Sequence, residues 1–184
     1  MALTVGTKAP DFKSKDQDGN EVSLASLKGK KFVLYFYPKD MTPGCTAEAC
    51  NLRDNYSSLK KAGYEIFGIS SDDEKSHKKF IAKEKLPFRL LADTDKTVHQ
   101  KFGTWVEKSM YGRKYMGTAR VTYVIDGNGV IENVIDKVDT KDHAAQILGK
   151  PSSATKAVAP SSKKTPVKKA KKTPAKKKAV KKKK

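Results

Sequence analysis

The sequence predicts an α/β domain with a mixed central sheet and helices on both of its faces. Three observations carry that prediction. Two nearly continuous apolar runs, 31–37 and 64–70, read as strands buried on both sides, which requires cover above and below the sheet. Stretches with the helical spacing of apolar residues follow each run. Two further strand-like runs, 121–125 and 130–135, flank Asp126-Gly127-Asn128-Gly129, a hairpin signal that adds antiparallel strands. Strand, helix, strand, helix, hairpin and terminal helix is an order that builds such a layered domain.

In chain order, Asp18-Gly19-Asn20 lies between Phe12 and Val22 and predicts a small hairpin; Lys28-Gly29-Lys30 is a second turn. Pro38 ends the first central strand. Thr42-Pro43 then starts a helix, because Thr42 can cap it and Pro43 suits the first helical position, where its missing N–H is not needed. The helix is expected to reach Ala62, with Gly63 as its stop. Its apolar stripe is Ala49, Leu52, Tyr56 and Leu59, and one turn further back the stripe reaches Cys45. Cys50 falls with Thr46, Arg53 and Ser57 on a polar face. Beyond the second central strand, 72–85 reads as a lysine-rich amphipathic helix with Phe80 and Ile81 inward, closed by Pro87. Residues 88–92 read as a short strand and 95–102 as a short helix. Residues 103–117 read as a loop or extended arm carrying Trp105, Tyr111 and Tyr115. A last helix, 142–148, stops at Gly149.

Charge divides the chain in two. The 184 residues hold 39 Lys+Arg against 20 Asp+Glu, a net charge of +19. From Pro151 onward there are 14 lysines and no acid, so most of the excess sits on the last segment. We therefore expect a folded domain over 1–149 and a disordered Lys/Ala/Pro-rich tail over 150–184, which has too few apolar side chains to bury a core.

Two cysteines cannot build a disulfide framework or a four-thiolate zinc site. No run is long and apolar enough to span a membrane, and Thr4, Gly6, Lys8 and Pro10 interrupt any secretory core after Met1. The body is expected to be a soluble intracellular domain, where a cysteine pair is catalytic or redox-sensing more often than structural. His77, His99 and His143 share no ligand spacing and are expected at the surface or at helix caps, with no metal bound. Asp72, Asp73 and Glu74 mark a helix start, Trp105 a packing residue, and Gly127-Asn128-Gly129 a turn and not a nucleotide loop.

Both cysteines lie in the stretch from Val33 to Cys50. A thiol reacts as its thiolate, and Cys45 falls in the first turn of the expected helix, where unpaired N–H groups and the macrodipole favour an anion. Gly44 lets a ligand approach the backbone. The loop amides and the Thr42 hydroxyl can hold a peroxide in line with the sulfur, and a distant arginine is the natural second donor. Five residues apart on one helix means about 500° of rotation and a rise of about 7.5 Å, so the Cα atoms of Cys45 and Cys50 stand roughly 8–9 Å apart. A disulfide needs about 4.4–6.8 Å. If the two bond, the first turns of the helix must unwind.

Pro38-x3-Thr42-x2-Cys45 is similar to the active-site motif of the peroxiredoxins. The run from Thr42 to Cys50 resembles their bacterioferritin-comigratory-protein, or Q-type, subfamily, whose resolving cysteine lies five residues on. The resemblance covers roughly 2–149 and takes in Ala9-Pro10-Asp11-Phe12, Met110-Tyr111-Gly112-Arg113 and Arg120-Val121-Thr122-Tyr123. It implies a thioredoxin-like fold and a thiol peroxidase acting on hydrogen peroxide and organic hydroperoxides without metal or haem, recycled by thioredoxin or a similar dithiol protein. It further implies a peroxidatic Cys45, a resolving Cys50, peroxide binding by Thr42, polarisation by Arg120, supporting roles for Pro38 and Glu48, and a monomer. Apart from that, Glu48 reads as a side chain complementing the helix dipole.

The tail contains a rough repeat, Lys163-Lys164-Thr165-Pro166-Val167-Lys168-Lys169 and then Lys171-Lys172-Thr173-Pro174-Ala175-Lys176-Lys177, with Lys178 following. It resembles the C-terminal tail of a linker histone. These lysines are expected to bind DNA without sequence preference and with strong salt dependence, and such clusters also serve as nuclear localisation signals. A nuclear location is expected, with the cytoplasm, or a bacterial nucleoid, as the alternative. Two other functions stay open at this point. One is a linker-histone-like DNA-binding protein whose domain senses redox state. The other is a protein-disulfide oxidoreductase, which the C-x4-C spacing disfavours against C-x-x-C.

Overall fold

The structure, a computed structural model, describes residues 3–110 and 112–149. Tyr111 and the lysine-rich segment, with every tail lysine named above, lie outside the described residues. In chain order the elements are β1 (Lys13–Asp16), β2 (Glu21–Ser23), β3 (Lys31–Phe36), α1 (Pro43–Asp54), α2 (Tyr56–Lys61), β4 (Tyr64–Ser70), α3 (Glu74–Glu84), β5 (Arg89–Ala92), α4 (Thr97–Lys101), β6 (Trp105–Met110), β7 (Arg113–Thr118), β8 (Val121–Ile125), β9 (Ile131–Ile135) and α5 (His143–Ile147). Seven strands form one sheet in the order β2-β1-β5-β4-β3-β8-β9; β6 and β7 pair apart from it. β3, β4 and β5 run parallel, and the other pairings in the large sheet are antiparallel. This is the mixed sheet that the sequence predicts, in a thioredoxin-like α/β domain.

β3 shows why the domain has two cores. Successive side chains of a strand point to opposite faces. Val33 and Tyr35, with Tyr37 just beyond the strand, join a cluster with Cys45, Ala49 and Leu52 of α1, Leu59 of α2, Phe80 of α3, and Ala144 and Ile147 of α5. Phe32, Leu34 and Phe36 join the opposite cluster with Phe12, Val98 of α4, Phe102, Tyr123 and Ile125. Gly68 lies beside Tyr35 in the paired strand, and a Cβ there would stand 2.6 Å from the Tyr35 ring and from Leu90. The small residue leaves room for the tyrosine, which stacks on Tyr37 at 5.4 Å beneath α1.

Four expectations change. The helix beginning at Pro43 does not run unbroken to Ala62: it ends at Asp54 and a new one starts at Tyr56. At the break the Asn55 side chain donates to the Asn51 carbonyl at 2.9 Å, competing with the helical backbone. α3 reaches its cap at Lys85, the end expected, but Lys85 and not Pro87 closes it, by adopting a left-handed conformation (φ 53°) while the Leu86 N–H returns to the Ile81 carbonyl at 3.1 Å. Residues 103–117 are no loop but most of a hairpin, with Trp105 opposite Thr118 and Met110 opposite Arg113. Its apolar residues fall side by side, Trp105 with Val106 and Tyr115 with Met116, so no apolar alternation announces the strands. The three histidines are not at the surface. All are fully buried, and one ring nitrogen of each meets a polar partner: His77 Nδ1 with Asp40 at 2.9 Å, His99 Nδ1 with Asp93 at 2.5 Å and His143 Nε2 with Thr122 at 2.9 Å.

Candidate active site

The connection from β3 to α1 is short and tightly held. Asp40 is its anchor: the Tyr37 hydroxyl donates to Asp40 Oδ1 at 2.6 Å, the Ser76 hydroxyl donates to Oδ2 at 2.7 Å, and the Asp40 N–H donates to Asp72 Oδ2 at 2.9 Å. Asp72 thus supports this loop, while Asp73 alone caps α3 by accepting from the Ser76 N–H at 2.8 Å. Met41 next adopts φ 58°, a conformation rare outside glycine, and Thr42 follows in extended form as the N-cap of α1. The Thr42 hydroxyl does not cap the helix as expected; it donates back to the Lys39 carbonyl at 3.1 Å. The first helical hydrogen bond runs from the Thr46 N–H to the Thr42 carbonyl at 2.8 Å, so the amides of Gly44 and Cys45 precede it and point out of the helix end.

Arg120 arrives from the neighbouring strand. β8 pairs with β3 in a register that sets Val121 opposite Phe36, so the residue just before β8 stands beside the start of the loop. Arg120 Nη2 donates to Cys45 Sγ at 3.2 Å, and Nη1 donates to Glu48 Oε2. Glu48, one turn after Cys45 on α1, is fully buried. It does not merely face the helix dipole; it is the counter-ion of Arg120. Burial raises the Glu48 carboxyl pKa to about 7 against the lowering pull of Arg120. Burial works against the Arg120 charge, but Glu48 and Cys45 more than offset it and raise its pKa. A Cβ on Gly44 would lie 3.5 Å from Arg120 Nη2, an ordinary van der Waals contact, so Gly44 borders the guanidinium without its space demanding a glycine. Pro38 is half-buried where β3 gives way to the loop. Lys108 of β6 faces the same place: burial and the Arg120 charge lower its pKa and Cys45 raises it.

Cys45 is buried and Cys50 is half-buried, and both are free thiols on the intact α1. Cys50 is not on an open polar face. It packs against α3, where its thiol donates to Glu84 Oε2 at 3.6 Å. Burial pushes the Cys50 pKa up, Arg53 lowers it and Glu84 raises it further. Arg53 also donates to the Glu84 carbonyl at 2.7 Å, tying the two helices at that end. The structure thus brings Pro38, Thr42, Gly44, Cys45, Glu48 and Arg120 together and holds Cys50 apart from them.

Sequence reasoning missed Asp40, Glu84 and His143. Asp40 and Glu84 carry no local signal, since, Tyr37 apart, the partners of Asp40 (Asp72, Ser76 and His77) and the Cys50 partner of Glu84 are remote in sequence. His143 does carry one: it stands four residues before Ile147, on the inward face of the last helix.

No helix among the described residues is long and apolar enough to cross a membrane, and no group of three or more His, Cys, Asp or Glu side chains among them is placed to hold a metal ion. The family described as AhpC/TSA matches residues 5–134. Peroxiredoxin Bcp of Escherichia coli is 47% identical over 146 residues, 79% of this chain and 94% of that protein. Peroxiredoxin Bcp of Bacillus subtilis is 45% identical over 148 residues, 80% of this chain and 94% of the relative. Among solved structures, the bacterioferritin comigratory protein of Xanthomonas campestris, described for its alkyl peroxide reduction activity, superposes with a TM-score of 0.71 at 34% identity over 75% of this chain and 88% of that one. Peroxidoxin BcpB of Mycobacterium tuberculosis gives 0.71 at 34% identity, over 80% and 95%.

Proposed function

The chain belongs to the AhpC/TSA family and is a thiol peroxidase of the Bcp/PrxQ type, and on that premise we propose that Cys45 attacks the hydroperoxide, Cys50 resolves the product, and a thioredoxin-like dithiol protein restores the pair. The observation that carries this reading is the Arg120 guanidinium, which reaches Cys45 Sγ at 3.2 Å while Glu48 fixes its other arm. A fixed cation at the sulfur favours the thiolate. The same planar donor can follow the negative charge that develops on the peroxide oxygen.

In the first step the Cys45 thiolate attacks the terminal oxygen of ROOH. An S–O bond forms, the O–O bond breaks, and RO⁻ leaves and takes up a proton as ROH. Cys45 is then a sulfenic acid. Thr42 has its hydroxyl hydrogen committed to the Lys39 carbonyl, so its oxygen is left to accept a hydrogen bond from the peroxide O–H. In the second step α1 unwinds between Cys45 and Cys50, the Cys50 thiolate attacks the Cys45 sulfur, and hydroxide leaves as water. Two electrons and two protons from the external dithiol then restore both thiols. Hydrogen peroxide and organic hydroperoxides are the substrates in this reading, and the domain acts as a monomer.

The lysine-rich segment 150–184 is a separate unit in this proposal. It resembles a linker-histone tail and gives the enzyme a salt-sensitive hold on DNA and a nuclear address, with the cytoplasm or a nucleoid as alternatives. Charge and composition support this part.

The test is peroxide consumption with a thioredoxin system. Wild type is expected to turn over and Cys45→Ser to fall to the uncatalysed rate. Equal rates for the two would remove the assignment of Cys45.

A further inference from the structure

His143 touches neither cysteine, yet the C-terminal helix drives it into the active site from behind. Its ring is fully buried beneath α1, edge-on to Tyr35 at 6.1 Å. On one side Nε2 meets the Thr122 hydroxyl of β8 at 2.9 Å. On the other, Nδ1 stands 3.2 Å from Glu48 Oε1. Among the described residues, both of these atoms are buried and neither makes a hydrogen bond that meets ordinary geometry, so the 3.2 Å contact is the one polar approach each has. With the Thr122 O–H donating to Nε2, the neutral ring carries its proton on Nδ1 and presents it to Glu48. A chain of contacts then runs from Thr122 through His143, Glu48 and Arg120 to Cys45.

The position of Glu48 gives this chain a second meaning. It lies between Cys45 and Cys50, inside the segment that must unwind before the two can bond. α5 and the residues before it also grip Asn51, just past Cys50: the Ala144 N–H donates to Asn51 Oδ1 at 2.8 Å, and Asn51 Nδ2 donates to the Lys141 carbonyl at 2.7 Å. The C-terminal helix therefore holds α1 on both sides of Cys50. We propose that His143 is a positioning residue, which sets Glu48 and through it Arg120 against Cys45, and lets go of Glu48 when α1 unwinds. This inference rests on the reading that Cys45 attacks and Cys50 resolves.

Two conservative variants separate positioning from packing. His143→Asn keeps an amide near Nδ1, facing Glu48. His143→Gln keeps one near Nε2, facing Thr122. Stopped-flow measurement of peroxide reacting with the reduced full-length protein is expected to give His143→Asn a rate within about threefold of wild type and His143→Gln a loss of about tenfold or more. Equal rates for the two variants would overturn the inference. A double-mutant cycle adds an independent readout. In a Glu48→Gln background, His143→Gln is expected to cost nothing further, because its effect passes through Glu48; the same fold-loss in both backgrounds would mark a packing role only and overturn the proposal. If His143→Gln does not fold at the assay temperature, Thr122→Val replaces it in the cycle, with the same expectation. Cys45→Ser in the same assay tests the underlying reading separately: activity retained there would overturn the assignment of Cys45 and the inference resting on it, whereas equal histidine variants beside an inactive Cys45→Ser would overturn the inference alone.

Discussion

Arg120 serves two partners at once, and its neighbours explain why a point charge cannot replace it. One arm of the guanidinium is bound by Glu48 and the other reaches Cys45. Arg120→Met removes the donor while keeping much of the stem, and the rate of peroxide reaction is expected to fall on the order of 10²–10³-fold, the usual loss for one preorganised donor. Arg120→Lys keeps the charge but not the fork, so rapid-mixing kinetics should rank it well below wild type. A lysine variant at wild-type rate would contradict the two-armed role. Glu48 and His143 make a second prediction at this scale. Burial raises the Glu48 carboxyl from 4.5 to about 7, so its contribution is fully present below 4.5 and is lost as pH rises towards 7. Burial lowers His143 from 6.5 to about 3, with Arg120 adding to the effect and Asp139 opposing it, so its contribution is present above 6.5 and is lost as pH falls towards 3. Between 4.5 and 6.5 the two slopes oppose each other. His143→Asn removes only the second slope. Its stability relative to wild type should therefore improve as pH is lowered through that window, by at most about 1.4 kcal/mol per pH unit. Urea denaturation at a series of pH values checks this; a constant offset would contradict it. The resemblance pointed to Cys45, Cys50, Thr42 and Arg120 as site residues, and the structure sets Arg120 against Cys45. The role of Glu48 as a buried counter-ion needed the β3–β8 register that brings Arg120 across, and no local pattern shows a register.

Among the elements, α1 carries opposed requirements. Intact, it sets Cys45 at its first turn and buries the Cys45, Ala49 and Leu52 stripe. Its opening turns must nevertheless come apart for Cys45 and Cys50 to bond, because the helical spacing exceeds what a disulfide spans. Ala47 is half-buried and lies between the cysteines. Ala47→Gly weakens the helix by about 1 kcal/mol, which raises the unwound population roughly fivefold. Conversion of sulfenic acid to disulfide is expected to speed up by a similar factor, with less overoxidation at high peroxide, as followed by quenched-flow thiol trapping. An unchanged rate would mean that unwinding does not limit resolution. The strands were legible because burial on both faces writes continuous apolar runs into β3 and β4. The break at Asn55 was not, since a side chain that shares one carbonyl with its own backbone N–H leaves the helical spacing on either side intact. The β6–β7 hairpin was missed for the opposite reason: β7 is exposed from Arg113 to Met116, so no buried face imposes an alternation on its sequence.

For the whole molecule, a two-sided sheet positions the site, and the lysine-rich segment 150–184 is proposed to add an address. The site-facing core depends on close packing of Tyr35 over Gly68. Gly68→Ala should destabilise the domain by about 1–3 kcal/mol, seen as a lower melting temperature, since the new methyl meets atoms on both sides. Ending the chain at Gly149 is expected to leave peroxide turnover within about twofold and to abolish the salt-dependent retention of DNA in gels. Undiminished DNA affinity after that truncation would remove the binding role from the lysines. The uneven charge was legible in the sequence, since every lysine from Lys156 onward stands in a stretch without acids; that segment lies outside the described residues. The histidines were not, because burial of His77, His99 and His143 depends on which helices meet which strands.

The central claim is that α1 is both the scaffold of the Cys45 site and a helix that opens to close the cycle. One measurement bears on it most directly. Reduced full-length protein is treated with one equivalent of hydrogen peroxide, blocked, digested with trypsin without reductant and mapped by mass spectrometry. The account predicts that the peptide between Lys39 and Arg53 is recovered with Cys45 bonded to Cys50 in the same chain, two hydrogens lighter than the reduced form. Recovery of Cys45 as a lasting sulfenic acid, or bonded to a second copy of the chain, would contradict it.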